Sequence, residues 1–194
     1  MSAQERRERE RALRERLIIT TARDLAEAEG WDAVTTRRLA ELIEYSQPVL
    51  YSHFKGKDAI MAAVAVEGFA EIATHLHGAR DGASTPQAAL AAVVSAYADF
   101  AERRPALYDA MFVRTVGLRF DHPETPVALR DAFGALRGAL QPFAGPHDLD
   151  DLTELLWSGL HGLVTLTGGG RLPGERHERR LALLAAQFAG RAVS

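Results

Sequence analysis

The sequence predicts an all-α fold: a three-helix helix-turn-helix domain at the N-terminus and a C-terminal helical bundle, with about nine helices in all. Three observations carry that expectation. Apolar residues recur with helical period along nearly the whole chain, and no convincing strand alternation is present. Glycine and proline cut the chain into pieces of helical length. Two pieces near the start are short and separated by a tight turn between longer neighbours, the layout of a helix-turn-helix.

The first helix is expected over residues 8–29, with Leu13, Leu17, Thr21, Leu25 and Ala28 on one face. Its solvated side carries charges interleaved at i,i+4, Glu10 to Arg14 for instance. Gly30 closes it as a C-cap glycine, and Trp31 and Val34 read as an apolar plug. Thr35 and Thr36 are N-cap residues ahead of a short helix over residues 37–43. After the break at Glu44, Tyr45 and Ser46 comes a second short helix, from Gln47 to about His53. Ser46 is its N-cap, and Pro48 sits in the first turn, where a missing N–H costs little. Lys55-Gly56-Lys57 makes the next turn. A long helix follows over residues 58–77, striped by Ile60, Val64, Phe69 and Ile72, and a polar loop over 78–86 ends it. Further helices are expected over 86–103, from Pro105 through Met111 and Phe112, from the 121–126 stretch to near Pro142, over 148–166, and over 175–191. The functional boundary falls inside the fourth helix.

Composition bounds the function classes. Of 194 residues, 47% are hydrophobic and 25% charged, a globular composition. The net charge of −3 does not by itself point to nucleic acid. Basic residues nonetheless crowd the start, at Arg6, Arg7, Arg9, Arg11, Arg14 and Arg16. Residues 1–57 hold 11 Lys+Arg against 10 Asp+Glu, and residues 58–194 hold 12 against 16. That asymmetry has the sign expected of a DNA reader joined to an acidic body. With no cysteine there is no disulfide, thiolate metal site or cysteine nucleophile. The charged start lacks a signal-peptide core, and no run of about 18 uninterrupted apolar residues suggests a membrane span. A cytoplasmic protein without membrane partners is expected.

The chemistry lies in the two short helices. Ala40 supplies the small residue where they cross, and Leu39, Ile43, Val49, Leu50 and Phe54 lock the pair. The second helix can then enter a major groove about 12 Å wide. Gln47 can pair with adenine through two hydrogen bonds, Arg37 can reach phosphate or guanine, and Val49 can pack on a thymine methyl. Tyr51, Ser52, His53 and Lys57 are placed to contact phosphates. Thr36, Ser46 and Pro48, at the two helix starts, complete the candidate DNA-binding set.

The run Thr35-Thr36-Arg37-Arg38-Leu39-Ala40, followed by Ser46 through Ile60 (SQPVLYSHFKGKDAI), resembles the DNA-binding signature of the TetR family of transcriptional regulators. The resemblance covers about a quarter of the chain. It implies a homodimer that binds a pseudo-palindromic DNA operator, most simply as a repressor. It assigns residues 1–57 to DNA binding and residues 58–194 to effector binding and dimerisation. One departure is Glu44, at a turn position where the family usually has glycine. A left-handed conformation there costs a non-glycine residue roughly 1 kcal/mol.

A second resemblance lies in Trp157, His161 and Gly162, which match a Trp-His-Gly (WHG) type of C-terminal effector domain found in part of the family. Pro105, Ala106, Leu107, Tyr108, Met111 and Phe112 fit the same pattern. Trp157 and His161 are four residues apart on one helical face, aromatic bulk beside a titratable ring. Phe100, Tyr108, Met111, Phe112 and Phe133 are candidates for the rest of a ligand-binding wall. The alternative role for Trp157 and His161 is packing alone. The expected effector is a small, apolar molecule.

Leu152, Leu155, Leu156, Leu160 and Leu163, with Leu181, Leu184, Ala185 and Phe188, make the last two helices more apolar than a surface pair needs. The family resemblance implies that they form a four-helix homodimer interface. No metal or cofactor is expected: His75 and His77 point to different helical faces, and His122, His147 and His161 share no ligand spacing. The glycines at 168–170 lack the Gly-Lys-Ser/Thr ending of a phosphate loop. No Gly-x-Ser-x-Gly occurs, so an enzyme is not expected. An effector-independent DNA-binding or architectural protein is the remaining alternative.

Overall fold

The computed structural model describes residues 2–114, 117–118 and 122–190. Among these, all regular structure is helical: nine α-helices and three short 3-10 helices. Asp121 and Arg191, expected at a helix start and a helix end, lie outside the described residues. The chain divides into two compact units, one of residues 1–68 with 104–121, the other of 69–103 with 122–194.

The first unit opens with α1, Ala3–Glu29. It starts five residues before the expected Glu8 because Ser2 and Glu5 form a capping box. The Glu5 amide donates to Ser2 Oγ at 3.2 Å, and the Ser2 amide donates to Glu5 Oε2 at 2.8 Å. The buried face is Ile18, Ala22, Leu25 and Ala26, while Leu13 and Leu17 are 60% and 42% exposed. The expected stripe fails geometrically. Steps of four residues drift by about 40° each, so Leu13 ends about 120° from Leu25. The Glu10–Arg14 pair does not form; the i,i+4 pair present is Arg11–Glu15, at 2.9 Å.

A 3-10 turn, Trp31–Ala33, leads to α2, Thr36–Leu42, and α3, Gln47–His53. The turn between them is a Schellman motif: the Tyr45 amide donates to the Ala40 carbonyl at 2.9 Å and the Glu44 amide to Glu41 at 3.4 Å. That pattern requires a left-handed residue, and Glu44 has φ 57°, the one positive φ among described non-glycine residues.

α4, Lys57–Asp81, contributes its first half to this unit. It runs through the glycine at 78 that reads as a stop, and ends with the Gly82 amide on the Gly78 carbonyl at 3.1 Å. By length and composition it is the one described helix apolar enough to cross a membrane. Here Ile60, Met61, Val64, Phe69, Ile72 and Leu76 are buried in the protein core instead.

α6, Pro105–Phe112, also belongs to the first unit, although its sequence lies far downstream. Its N-cap, Arg104, makes no side-chain cap bond. Pro105 has no N–H, and the next two amides, of Ala106 and Leu107, donate to Glu27 Oε2 and Oε1 at 3.1 and 3.0 Å. One carboxylate on α1 thus satisfies the open first turn of α6. Beside it, Trp31 Nε1 donates to the Ala106 carbonyl at 2.8 Å. On another side Gly68 of α4 lies so close that a Cβ there would meet Met111 Sδ at 2.6 Å and Leu107 Cδ1 at 2.8 Å.

In the second unit α5, Pro86–Arg103, packs against α7, Val127–Leu140; α8, Leu149–Gly168; and α9, His177–Ala189. Its core includes Leu90, Val94, Tyr97, Leu136, Leu156, Leu160 and Phe188. Asp148 caps α8, accepting from the amides of Asp150 and Asp151 at 2.8 and 3.1 Å. The triple glycine ends α8: Gly170 has φ 69°, and the Arg171 amide returns to the Leu166 carbonyl at 2.8 Å.

Two outcomes test these contacts. Glu44→Gly relieves the left-handed strain of about 1 kcal/mol and raises the thermal midpoint by about 2–4 °C in calorimetry; an unchanged or lower midpoint refutes the strain. Glu27→Ala strips two amides of a charged acceptor and destabilises by about 1–3 kcal/mol. It also speeds hydrogen exchange at Ala106 and Leu107, more than Glu27→Gln does; unaltered exchange there removes the clamp from the account.

Candidate nucleic-acid interface and effector residues

α2 and α3 meet through Leu39, Ala40, Ile43 and Leu50, all buried. Thr35 fixes the start of α2, its Oγ1 accepting from the Arg38 amide at 3.1 Å. Ser46 starts α3 without a side-chain cap bond, its carbonyl instead accepting from the Val49 amide at 3.0 Å. With Leu50 turned inward, Ser46, Gln47, Pro48, Tyr51 and Ser52 face solvent, and Val49 is half-buried. Thr36 and Tyr51 come together, Oγ1 to Oη at 3.4 Å, which steadies the phenol that projects from α3. Arg37 is exposed and bonded to Glu41 at 3.0 Å, an i,i+4 surface pair of small energy that a phosphate can displace. Ser52 Oγ donates to the Val49 carbonyl at 2.6 Å.

Two candidates point elsewhere. The His53 side chain is 7% exposed, with Nδ1 3.3 Å from Glu15 Oε1. Glu15 is held below the usual carboxylate range, first by the Arg11 guanidinium and then by His53. The Lys57 ammonium donates to the Trp31 carbonyl. In this structure both side chains fasten the domain: His53 ties the end of α3 to α1, and Lys57 ties the start of α4 to the turn after α1. Sequence reasoning missed Glu15, Glu27 and Trp31 as the partners that hold these parts. No local signal marks them, because they lie 26 to 80 residues from what they bind.

The effector candidates divide between the units. Tyr108, Met111 and Phe112 share α6 in the first, with the Tyr108 and Phe112 ring centroids 4.7 Å apart. Phe100, Phe133, Trp157 and His161 belong to the second. Phe100 is buried and lies 5.9 Å from the His75 ring. Phe133 is half-buried. Trp157 Nε1 donates to Tyr97 Oη at 3.2 Å, a buried tyrosine not among the sequence candidates. Burial holds the half-exposed His161 imidazole below the ordinary histidine value, which favours its neutral form. Of the apolar residues expected at a dimer face, Leu152, Leu156, Leu160, Leu181, Ala185 and Phe188 are buried within the chain, Leu163 and Leu184 are half-buried and Leu155 is exposed; Leu166 and Leu183, outside that set, are exposed as well.

Residues 18–64 match the family described as bacterial regulatory proteins, tetR family, and residues 90–188 match the tetracyclin repressor-like C-terminal domain. The latter match is to that domain as a class and does not single out the Trp-His-Gly subtype. An uncharacterized HTH-type transcriptional regulator of Mycobacterium tuberculosis is 30% identical over 150 residues, 77% of this chain and 67% of that protein. The class A tetracycline repressor of Escherichia coli is 45% identical over 58 residues, 30% of this chain and 27% of the repressor. A solved structure of a protein of unknown function from Rhodococcus sp. RHA1 shares the fold. Its TM-score is 0.75 over 92% of this chain and 95% of that one, at 23% identity. An all-helical chain with an exposed recognition helix, matched over both its parts, belongs to the TetR family of transcriptional regulators.

Proposed function

We propose that this chain is a repressor that binds a pseudo-palindromic operator as a homodimer and leaves it when a small, apolar molecule binds the C-terminal domain. The observation that carries the DNA half is the outward row Ser46, Gln47, Pro48, Tyr51 and Ser52 on a helix whose other side is anchored by buried Leu50. Gln47 reads adenine, a contact worth about 1–3 kcal/mol of discrimination. Thr36, Arg37, Tyr51 and Ser52 engage phosphates, and Val49 packs on a thymine methyl. His53 and Lys57 set the angle of α3, and phosphate competes for the Lys57 ammonium on docking. Residues 1–57 bind DNA and residues 58–194 bind the effector and dimerise. Such a protein works in the cytoplasm, where its operator is.

Dimerisation through α8 and α9 is supported by the exposed Leu155, Leu166 and Leu183. It supplies two recognition helices about 34–36 Å apart, one per major-groove half-site. Phe100, Phe133, Trp157 and His161, all in the second unit, line the effector site. Trp157, His161 and Gly162 favour the Trp-His-Gly subtype. The neutral form of His161 suits an apolar ligand, because it places no charge in the wall. α6 carries the signal. It follows α5 after Arg104 alone, and it is bound to α1 through Glu27 and Trp31.

Tyr51→Ala and Lys57→Ala abolish operator binding in a mobility-shift titration at fixed salt, while gel filtration still shows the dimer. Wild-type affinity in either variant contradicts its assigned role. In a ligand screen for operator release, Trp157→Ala changes the effector concentration needed for release far more than it changes DNA affinity. An equal effect on both assigns Trp157 to packing.

A further inference from the structure

The first three turns of α1 are not used by the fold. Residues 2–14 are all exposed, yet the capping box at Ser2 and Glu5 holds them helical. Arg7, Arg11 and Arg14 repeat at i, i+4 and i+7, and the same row continues into Ile18, Ala22 and Leu25. The face that packs into the helix-turn-helix core therefore becomes an arginine stripe where α1 leaves it. That face is also the side of α3, because Glu15, beside this row, contacts His53 at the end of α3. Arg6, Arg7, Arg9, Arg14 and Arg16 make no ion pair among the described residues, although glutamates stand close by in sequence. Three of those carboxylates are engaged, Glu5 in the capping box, Glu8 with Gln4 at 3.1 Å and Glu15 with Arg11 and His53, while Glu10 pairs with no arginine among the described residues.

We propose that the N-terminal half of α1 is a second DNA-contacting element, whose Arg7–Arg11–Arg14 face lies along the phosphates flanking the half-site read by α3. The proposal rests on the helix-turn-helix reading and extends it. From Glu15 to Arg7 the helix advances about 12 Å, beyond the end of α3. Duplex DNA carries one charge per about 1.7 Å of axis, so a stripe of that length meets several phosphates. The occupant is DNA because the stripe is basic and continuous with the recognition domain, through the Glu15–His53 contact. It carries no base-reading pattern, so it strengthens binding without adding sequence preference.

The test is a salt titration of the full-length protein on a duplex of about 30 base pairs of arbitrary sequence, from about 50 to 200 mM salt. R7Q/R14Q is compared with R9Q/R16Q, which removes the same charge from the other side of the helix. Glutamine keeps helix propensity, and both variants leave Arg11 on Glu15. R7Q/R14Q makes the log–log slope shallower by about 0.9 per lost contact, close to 2 per subunit, while R9Q/R16Q changes it little. Equal slopes in wild type and R7Q/R14Q, or equal losses in the two variants, overturn the proposal. So does arginine-dependent binding to phosphatidylglycerol vesicles with the DNA slope unchanged. Wild-type protein that binds no duplex overturns the helix-turn-helix reading as well, whereas loss in Tyr51→Ala with no loss in R7Q/R14Q overturns only the extension.

Discussion

The DNA-binding unit depends on one carboxylate. Glu27, near the end of α1, accepts from the only two first-turn amides that α6 presents after Pro105, across 79 and 80 residues of sequence. Without it α6 has no side-chain cap, since Arg104 supplies none. Trp31 adds its indole to the Ala106 carbonyl, and its own carbonyl accepts from Lys57. The end of α1, the start of α4 and the start of α6 are thereby joined around one tryptophan that is 2% exposed. Hydrogen bonds to a charged group contribute about 1.5–3 kcal/mol each, more than exposed pairs such as Arg37–Glu41, which contribute about 0–1 kcal/mol. Placement of α6 is set here, not by the surface ion pairs.

Within that frame, the recognition helix is positioned by burial on one side and by turn geometry at its start. Leu50 is 1% exposed, so rotating α3 would bring apolar surface into water and take Tyr51 or Gln47 out of it. The Schellman turn fixes where α3 begins, and it does so with Glu44 in a left-handed conformation that glycine would adopt without strain. The strain is tolerated because two backbone bonds and the buried Ile43 hold the turn on either side. His53 closes the far end on Glu15. Both ends of α3 are thus determined before DNA is present, which lowers the ordering cost of binding.

What the sequence made legible was local. The start of α3 follows from Ser46 and Pro48, and the family signature lies in two short runs, residues 35–40 and 46–60. The start of α1 is equally legible, in the Ser2 to Glu5 spacing of a capping box. The glycine at 78 misleads because a single glycine inside a helix costs only about 1 kcal/mol, less than the burial of Ile72 and Leu76 around it returns. The inward turn of His53 and Lys57 was not legible. Each suits a phosphate by residue type, and only the tertiary fold brings a carboxylate or a carbonyl to it. The grouping of effector candidates was hidden for the same reason: α6 adjoins α5 in sequence but packs with α1.

That last mismatch bears on the proposed ligand response. α6 is covalently continuous with α5 of the second unit and packed into the first unit. Gly68 lets α6 lie close against α4, where even a methyl group would overlap Leu107 and Met111. Under the proposed ligand release, a different setting of α6 weakens the Glu27 bonds or carries α1 with it. Allosteric couplings are about 1–3 kcal/mol, or 5- to 150-fold in affinity, and one charged hydrogen bond is about 1.5–3 kcal/mol. Loss of a single Glu27 bond therefore has the size that the proposed ligand response requires. Movement of α1 with α6 would also swing the arginine stripe and Glu15, and with Glu15 the end of α3. Either route passes through α1, the helix that holds α6 at one end and the recognition helix near its middle.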